Sequence, residues 1–220
     1  MLRYLFSHRV LVEHMSNEQL TDTLYLEERE SLRSQTETRL QEFTLGRLCA
    51  RKALARLGIR RYPVGIGKYR EPLWPQGISG SISHCGNYCS VAVSNDERIA
   101  SVGIDIERHE PLEKDVTDMV CTKNEKLRLA AQLPPIPAYA ETVIFSAKES
   151  VYKCLFPITK NFLEFSDVEI TLAEGENEFS VKMLRPEIRG LIEPFRLRGR
   201  FYCANGLIYT GLELEKPGFP

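Results

Sequence analysis

Hydrophobic and polar positions recur at helical spacing in two early stretches of the chain. Glu18 to Arg33 mixes leucines with charge, and Glu37 to Leu57 does the same before Gly58, a C-terminal cap. Gly65–Arg70 predicts a short strand or turn. Pro72-Leu-Trp-Pro75 predicts a rigid loop, because proline fixes φ and restricts the residue before it. Tyr88–Ser94 and Ile99–Ile106 have the pattern of strands, with Asn95-Asp96 predicting a hairpin turn between them. Thr122-Lys-Asn-Glu125 is a capping-box signature that opens a helix to about Leu133, and Pro134-Pro-Ile-Pro137 breaks it. Ala138 to about Phe156 is the next helix, stopped by Pro157. Val168–Leu172, Glu178–Leu184, Phe195–Cys203 and Leu207–Leu214 then alternate as strands. No repeat or low-complexity segment interrupts this mixture.

Composition narrows the class. With 220 residues, 43% hydrophobic and 27% charged, the chain is globular and long enough for one large domain or two small ones. A formal charge of −1 offers no bulk basic field for nucleic acid, so any anion binding is local. No apolar run reaches membrane-spanning length, and Arg3, His8 and Arg9 interrupt the N-terminus where a signal peptide would be apolar. The six cysteines include no C-x-x-C and read as reduced thiols of a cytoplasmic protein. His84, Cys85 and Cys89 form only a weak metal pattern, and small buried thiols are the simpler reading.

Two blocks carry candidate chemistry. In Gly103-Ile-Asp-Ile-Glu107, Asp105 and Glu107 point to one side of a strand. In Phe145-Ser-Ala-Lys-Glu-Ser-Val-Tyr-Lys153, Glu149 and Lys153 share a helix face. Three acids and one amine on rigid elements suit a hard divalent cation bridged to a phosphate, and hence phosphoryl-type transfer. Each half alone also reads as an ordinary solvated edge or surface ion pair. Arg47 and Arg51, four apart in the second helix, read equally as a solvated basic stripe.

Taken together these blocks resemble the 4′-phosphopantetheinyl transferases of the large, pseudodimeric kind, and most of all the branch serving siderophore synthesis. The family's G-[IV]-D-x-E is matched at 103–107 and its [FW]-[ST]-x-K-E-[SA]-x-x-K at 145–153. Gly46-Arg-Leu-Cys-Ala-Arg51 and Arg70-Glu-Pro-Leu-Trp-Pro75, leading into Gly80-Ser-Ile-Ser-His84, are blocks of the siderophore branch. The resemblance runs from about residue 43 to 156. It implies an α+β fold of two similar halves, 1–103 and 104–220, with the active site in the cleft between them.

The implied reaction moves the 4′-phosphopantetheine arm of coenzyme A to a serine of an apo acyl, peptidyl or aryl carrier protein and releases adenosine 3′,5′-bisphosphate. It serves siderophore, nonribosomal peptide, polyketide or fatty acid synthesis, in a monomeric enzyme. Asp105, Glu107 and Glu149 would hold Mg²⁺. Lys153 would sit at the bridging oxygen, with Glu149 as the base and Glu107 its rival. Arg51, then Arg47, then Arg70, Ser83 and His84 would contact coenzyme A phosphates. His84 otherwise reads as a half-buried core histidine. Lys148 lies about 100° around the helix from Glu149 and either touches phosphate from the side or is solvated. Glu125 has two candidate jobs, the cap and a place near the metal. Where many members of the family carry Lys before the proline at 72, this chain has Glu71, with Arg70 one residue back. The competing readings are a metal-dependent phosphodiesterase, which would need a basic groove, and a non-catalytic carrier-binding module, which would tolerate loss of the motif acids.

Overall fold

A computed structural model describes residues 2–19, 24–30, 36–131, 138–173 and 177–218. The proline run at 134–137, Leu133 and parts of the helix expected over 18–33 lie outside the described residues. Elements follow in the order β1 (Leu11–Ser16), α1 (Leu26–Glu30), α2 (Glu37–Arg56), β2 (Gly65–Ile66), β3 (Pro72–Leu73), β4 (Ser79–Cys85), β5 (Tyr88–Ser94) and β6 (Ile99–Arg108). They continue with α3 (Lys114–Val120), α4 (Lys123–Ala131), α5 (Ala140–Thr159), β7 (Val168–Leu172), β8 (Glu178–Met183), α6 (Pro186–Ile192), β9 (Arg196–Ala204) and β10 (Leu207–Glu215). No described helix is long and apolar enough to cross a membrane.

The fold is α+β, in two similar halves, each with a 20-residue helix packed on an antiparallel sheet. In the first, α2 covers the sheet β1-β5-β4 and buries Leu45, Cys49, Ala53 and Leu54 against Val91 and Val93. In the second, α5 covers β6-β10-β9-β8-β7 and buries Val143, Ala147, Val151 and Leu155 against Ile208 and Leu212. The helix ends follow local chemistry. Thr36 accepts a hydrogen bond from Arg39 N at the start of α2, and Gly58 takes φ 86° just past its end. Pro157 does not stop α5, which runs on to Thr159 and ends where Lys160 turns left-handed and donates its N–H to Phe156 O. A proline this close to a C-terminus costs one helical hydrogen bond without forcing the chain out.

The expected hairpin between Tyr88–Ser94 and Ile99–Ile106 does not form. β5 pairs with β1 and β4, whereas β6 pairs with β10, so Asn95-Asp96 is the crossing from one sheet to the other. Adjacency in sequence suggested pairing, but β6 carries apolar residues suited to burial in the second sheet.

The sheets instead meet along β4 and β6 through side chains. Ser79, Ser81 and Ser83 recur at the period of a strand and all face β6. Ser79 Oγ donates to Ala100 O at 3.0 Å, Ile104 N donates to Ser81 Oγ at 3.1 Å, and Ser83 Oγ donates to Asp105 Oδ1 at 2.8 Å. The N-terminal residues Leu5 and Phe6 close the far side of this seam, packed with Ile104, Ile106 and Tyr209. Gly211 makes room for the Phe6 ring. The segment before β1 thus has a structural job that its sequence does not advertise.

Candidate active site

Gly103 determines where the site's acids stand. A Cβ there would run into Ser150 O and Cys154 N of α5, so only glycine lets the helix backbone lie directly on β6. Two residues on, Asp105 is 2% exposed and accepts from both sides. Its Oδ1 receives Ser83 Oγ at 2.8 Å and Lys153 Nζ at 2.6 Å, and its Oδ2 receives Ser146 Oγ at 2.7 Å. Lys153 also donates to Ser83 Oγ at 2.9 Å. Its ion-pair partner is therefore Asp105 rather than Glu149, and its side chain keeps 26% exposure toward the cleft.

Glu107 and Glu149 lie outward of this knot. Burial pushes the Glu107 carboxyl up to about 7, reinforced by the charges of Asp105 and Glu149 and opposed by Lys153. Glu149 is also raised, by burial first, with Lys153 opposing and Asp105 reinforcing. The three acids thus share one electrostatic field. Among the described residues, however, no three His, Cys, Asp or Glu side chains close into a ready-made metal cage. Hard oxygen donors of this kind still fit Mg²⁺, which is ordinarily held by one or two carboxylates together with substrate phosphates and water.

A cleft of about 460 Å³ opens beside this cluster on the α2 side, lined by Arg39, Arg47, Arg70 and His84 with Glu42 and Phe43. Arg47 is 6% exposed, stacks over the Phe43 ring and donates to Gly65 O at 3.3 Å, while its buried Nε has no protein partner. Burial lowers its pKa to about 10, still far above neutrality. His84 stands 3.8 Å from Glu42, its pKa lowered by burial first. Arg70 sits at the end of the β2–β3 turn in the left-handed region, φ 70°, which directs the hairpin over the cleft. Glu71 is tied into the same turn, accepting Tyr69 N at 2.9 Å.

Three expectations change on this geometry. Arg51 does not line the cleft with His84; it stacks over Tyr25 and lies 4.0 Å from Glu28, on the α1 side of α2. Four residues along a helix is slightly more than one turn, enough here to separate the two guanidinium groups. Lys148 does not reach the cleft. Its side chain is 1% exposed, and its ammonium donates to Glu125 at 2.8 Å, Val120 O at 2.8 Å and Phe165 O at 2.9 Å, so it has no proton left for a phosphate. The Ser83 hydroxyl spends its proton on Asp105. Glu125 is the acidic member of the capping box of α4, in reciprocal bonds with the cap residue Thr122, and is fully buried against Lys148. Arg39 was not anticipated, although its place two turns before Arg47 on α2 was a usable signal.

A second cavity of about 550 Å³ adjoins the first through Arg70, Pro72 and Ile82. It leads from Lys153 past Trp74, Tyr152 and Phe156, and the buried indole N–H of Trp74 has no protein partner. Tyr69 at the hairpin tip packs edge-on against Phe156 of α5, with ring centres 5.5 Å apart, which bridges the two halves.

Comparison with known proteins gives the family. A family model described as the 4′-phosphopantetheinyl transferase N-terminal domain matches residues 27–94, and one described as the 4′-phosphopantetheinyl transferase superfamily matches 101–195. The chain is 35% identical over 183 residues to the 4′-phosphopantetheinyl transferase Svp of Streptomyces mobaraensis, covering 81% of this chain and 74% of that protein. It is 35% identical over 181 residues to PptT of Mycobacterium tuberculosis, covering 80% and 79%. Enterobactin synthase component D of Salmonella typhimurium is 42% identical over 134 residues, covering 60% and 55%.

Proposed function

Because this chain belongs to the 4′-phosphopantetheinyl transferase family, we propose that it moves the 4′-phosphopantetheine arm of coenzyme A to a serine of an apo carrier protein. The observation that carries this reading is the continuity of the cationic cleft at Arg47, Arg70 and His84, through Arg70 and Pro72, with the cavity lined by Lys153, whose ammonium is paired with Asp105 in the field of Glu107 and Glu149. A nucleotide with two phosphate groups at separate positions matches that layout. The 3′-phosphate goes to Arg47 and His84, with Arg39 and Arg70 at the rim. The pyrophosphate goes to Lys153 and the acids. The apolar arm extends into the cavity past Trp74, whose free indole N–H can meet an amide carbonyl.

In the reaction the serine oxygen forms a bond to the pyrophosphate phosphorus nearer the arm, and the bond from that phosphorus to the bridging oxygen breaks. Adenosine 3′,5′-bisphosphate leaves. Lys153 stands where charge builds on the departing phosphate, an interaction most valuable in the transition state. Two carboxylates are poised to take the serine proton, Glu149 and Glu107, both held toward their protonated forms by burial. Mg²⁺ held by Asp105, Glu107 and Glu149 would supply neutralisation of pyrophosphate charge.

We place the enzyme in the cytoplasm as a monomer, in keeping with its free thiols. The identity shared with enterobactin synthase component D favours carrier proteins of siderophore assembly. Mass spectrometry of apo aryl, peptidyl and acyl carrier proteins, incubated with coenzyme A and Mg²⁺, tests the reading. The expected result is a gain of one arm mass on a single serine, abolished by EDTA. Cleavage of the coenzyme A pyrophosphate without any gain on the carrier would instead identify a phosphodiesterase.

A further inference from the structure

The geometry points to the buried Lys148–Glu125 pair as a positioning device that fixes how α5 presents Glu149 and Lys153 to the cleft; this rests on the proposed transfer reaction. The pair lies outside both cavities of the nucleotide side, yet Lys148 is the immediate neighbour of Glu149, and the two line an adjoining cavity of about 430 Å³ that shares Tyr152 with the Lys153 cavity. Its ammonium is fully used, donating to Val120 O at 2.8 Å, to Glu125 at 2.8 Å and to Phe165 O at 2.9 Å. Glu125 is used as completely, accepting Thr122 N at 2.6 Å and Ile170 N at 2.6 Å. One residue pair therefore ties the end of α3, the start of α4, the middle of α5, the turn before β7 and β7 itself.

Helix geometry converts this into control of the site. Lys148 is about 100° around the axis from Glu149, so anchoring Lys148 in the protein interior sets the rotation of the helix. The other side of α5 is held by Ser146 and Lys153 on Asp105. With two anchors on different faces, Glu149 has one direction available to it. Were the inner anchor loosened, α5 could roll and the acid would leave its place beside the pyrophosphate. A fully hydrogen-bonded buried pair contributes little net stability compared with apolar residues of the same volume. Its role beside the catalytic face is therefore one of orientation.

The test uses Glu125→Gln, which keeps shape and an acceptor for Ile170 N, and the apolar double replacement Lys148→Met/Glu125→Leu, which leaves no orphaned charge. Coenzyme A affinity is measured by calorimetry without carrier, and turnover with carrier. The expected result is a kcat lower by at least about tenfold with coenzyme A Kd and KM nearly unchanged, since small misplacements of reacting groups cost rate rather than binding. Wild-type kcat in the folded double variant would overturn the inference, as would a coenzyme A affinity that falls in step with kcat, the mark of a phosphate ligand. Hydrogen exchange reads the anchor without turnover: amides of 145–153 exchange faster in Glu125→Gln, and unchanged protection there also overturns it. A wild-type protein that transfers no arm would remove the proposed function, and the exchange measurement would still decide the anchor.

Discussion

Lys153 Nζ stands 2.6 Å from Asp105 Oδ1, on the same oxygen that accepts the Ser83 hydroxyl. A residue of each half thus meets on one carboxylate oxygen at the seam between the two sheets. The pair is asymmetric: Asp105 is sealed in the seam, whereas Lys153 keeps a face to the cavity. Lys153→Ala should lower kcat by about a hundredfold or more with little change in coenzyme A KM, because charge on the bridging oxygen appears only as the bond breaks. It should also destabilise the fold by about 1–3 kcal/mol, less than a fully buried pair would lose. Adding Asp105→Asn should recover part of that stability and none of the rate. Additive stability losses in the double variant would mean the two residues do not act as a pair.

Glu107 makes the ligand-free protein pH-sensitive. Its pKa stands near 7 against an ordinary 4.5, so the folded state keeps a proton that the unfolded chain has released. The stabilisation is fully present below pH 4.5 and is lost as pH rises through 7. Glu149 contributes with the same sign, and His84, lowered by burial, with the opposite one. The melting temperature of ligand-free Glu107→Gln should therefore fall less than wild type between pH 5 and about 8. Parallel curves would show that the Glu107 carboxyl is not perturbed.

The 3′-phosphate should separate the arginines of α2. Arg47→Ala and His84→Ala should weaken coenzyme A more than 3′-dephospho-coenzyme A, each by about 1.5–3 kcal/mol, roughly ten- to a hundredfold. Arg51→Ala should treat both nucleotides alike and act on stability, through its stacking on Tyr25 and its approach to Glu28. Calorimetry with the two nucleotides checks this. Selective loss in Arg51→Ala would restore it to the phosphate.

The sequence exposed the chemistry better than the connections. Asp105, Glu107, Glu149 and Lys153 stand out in the sequence because strand and helix periods place each pair on one face, although the structure pairs Lys153 with Asp105 and not with Glu149; the capping box at Thr122 is legible because it is local. The exchange of β6 into the second sheet was not, since pairing with β10 depends on residues a hundred positions away. Lys148 and Glu125 were ambiguous for the same reason. A lysine in a helix can face phosphate, water or a buried acid, and the partner that decides among them is 23 residues away. Arg47 and Arg51 differ by one turn of helix, and only the position of α1 shows which faces the cleft.

The glycine that opens the strand motif gives the last prediction. Gly103 has an ordinary strand conformation, so its necessity is one of space: a Cβ would collide with the backbone of α5 at Ser150 and Cys154, atoms that cannot swing aside as a side chain can. Gly103→Ala should force the helix off β6, at a cost of about 1–3 kcal/mol or more. That displacement would also carry Ser146 and Lys153 away from Asp105, so kcat should fall about a hundredfold even in molecules that remain folded. Gly190→Ala is the control: it lies in α6 with open space around it and should be neutral or stabilising by up to about 1 kcal/mol. Thermal melts and single-turnover transfer rates on both variants check the pair. A folded Gly103→Ala enzyme with wild-type rate would show that close contact between α5 and β6 is not what holds the site together.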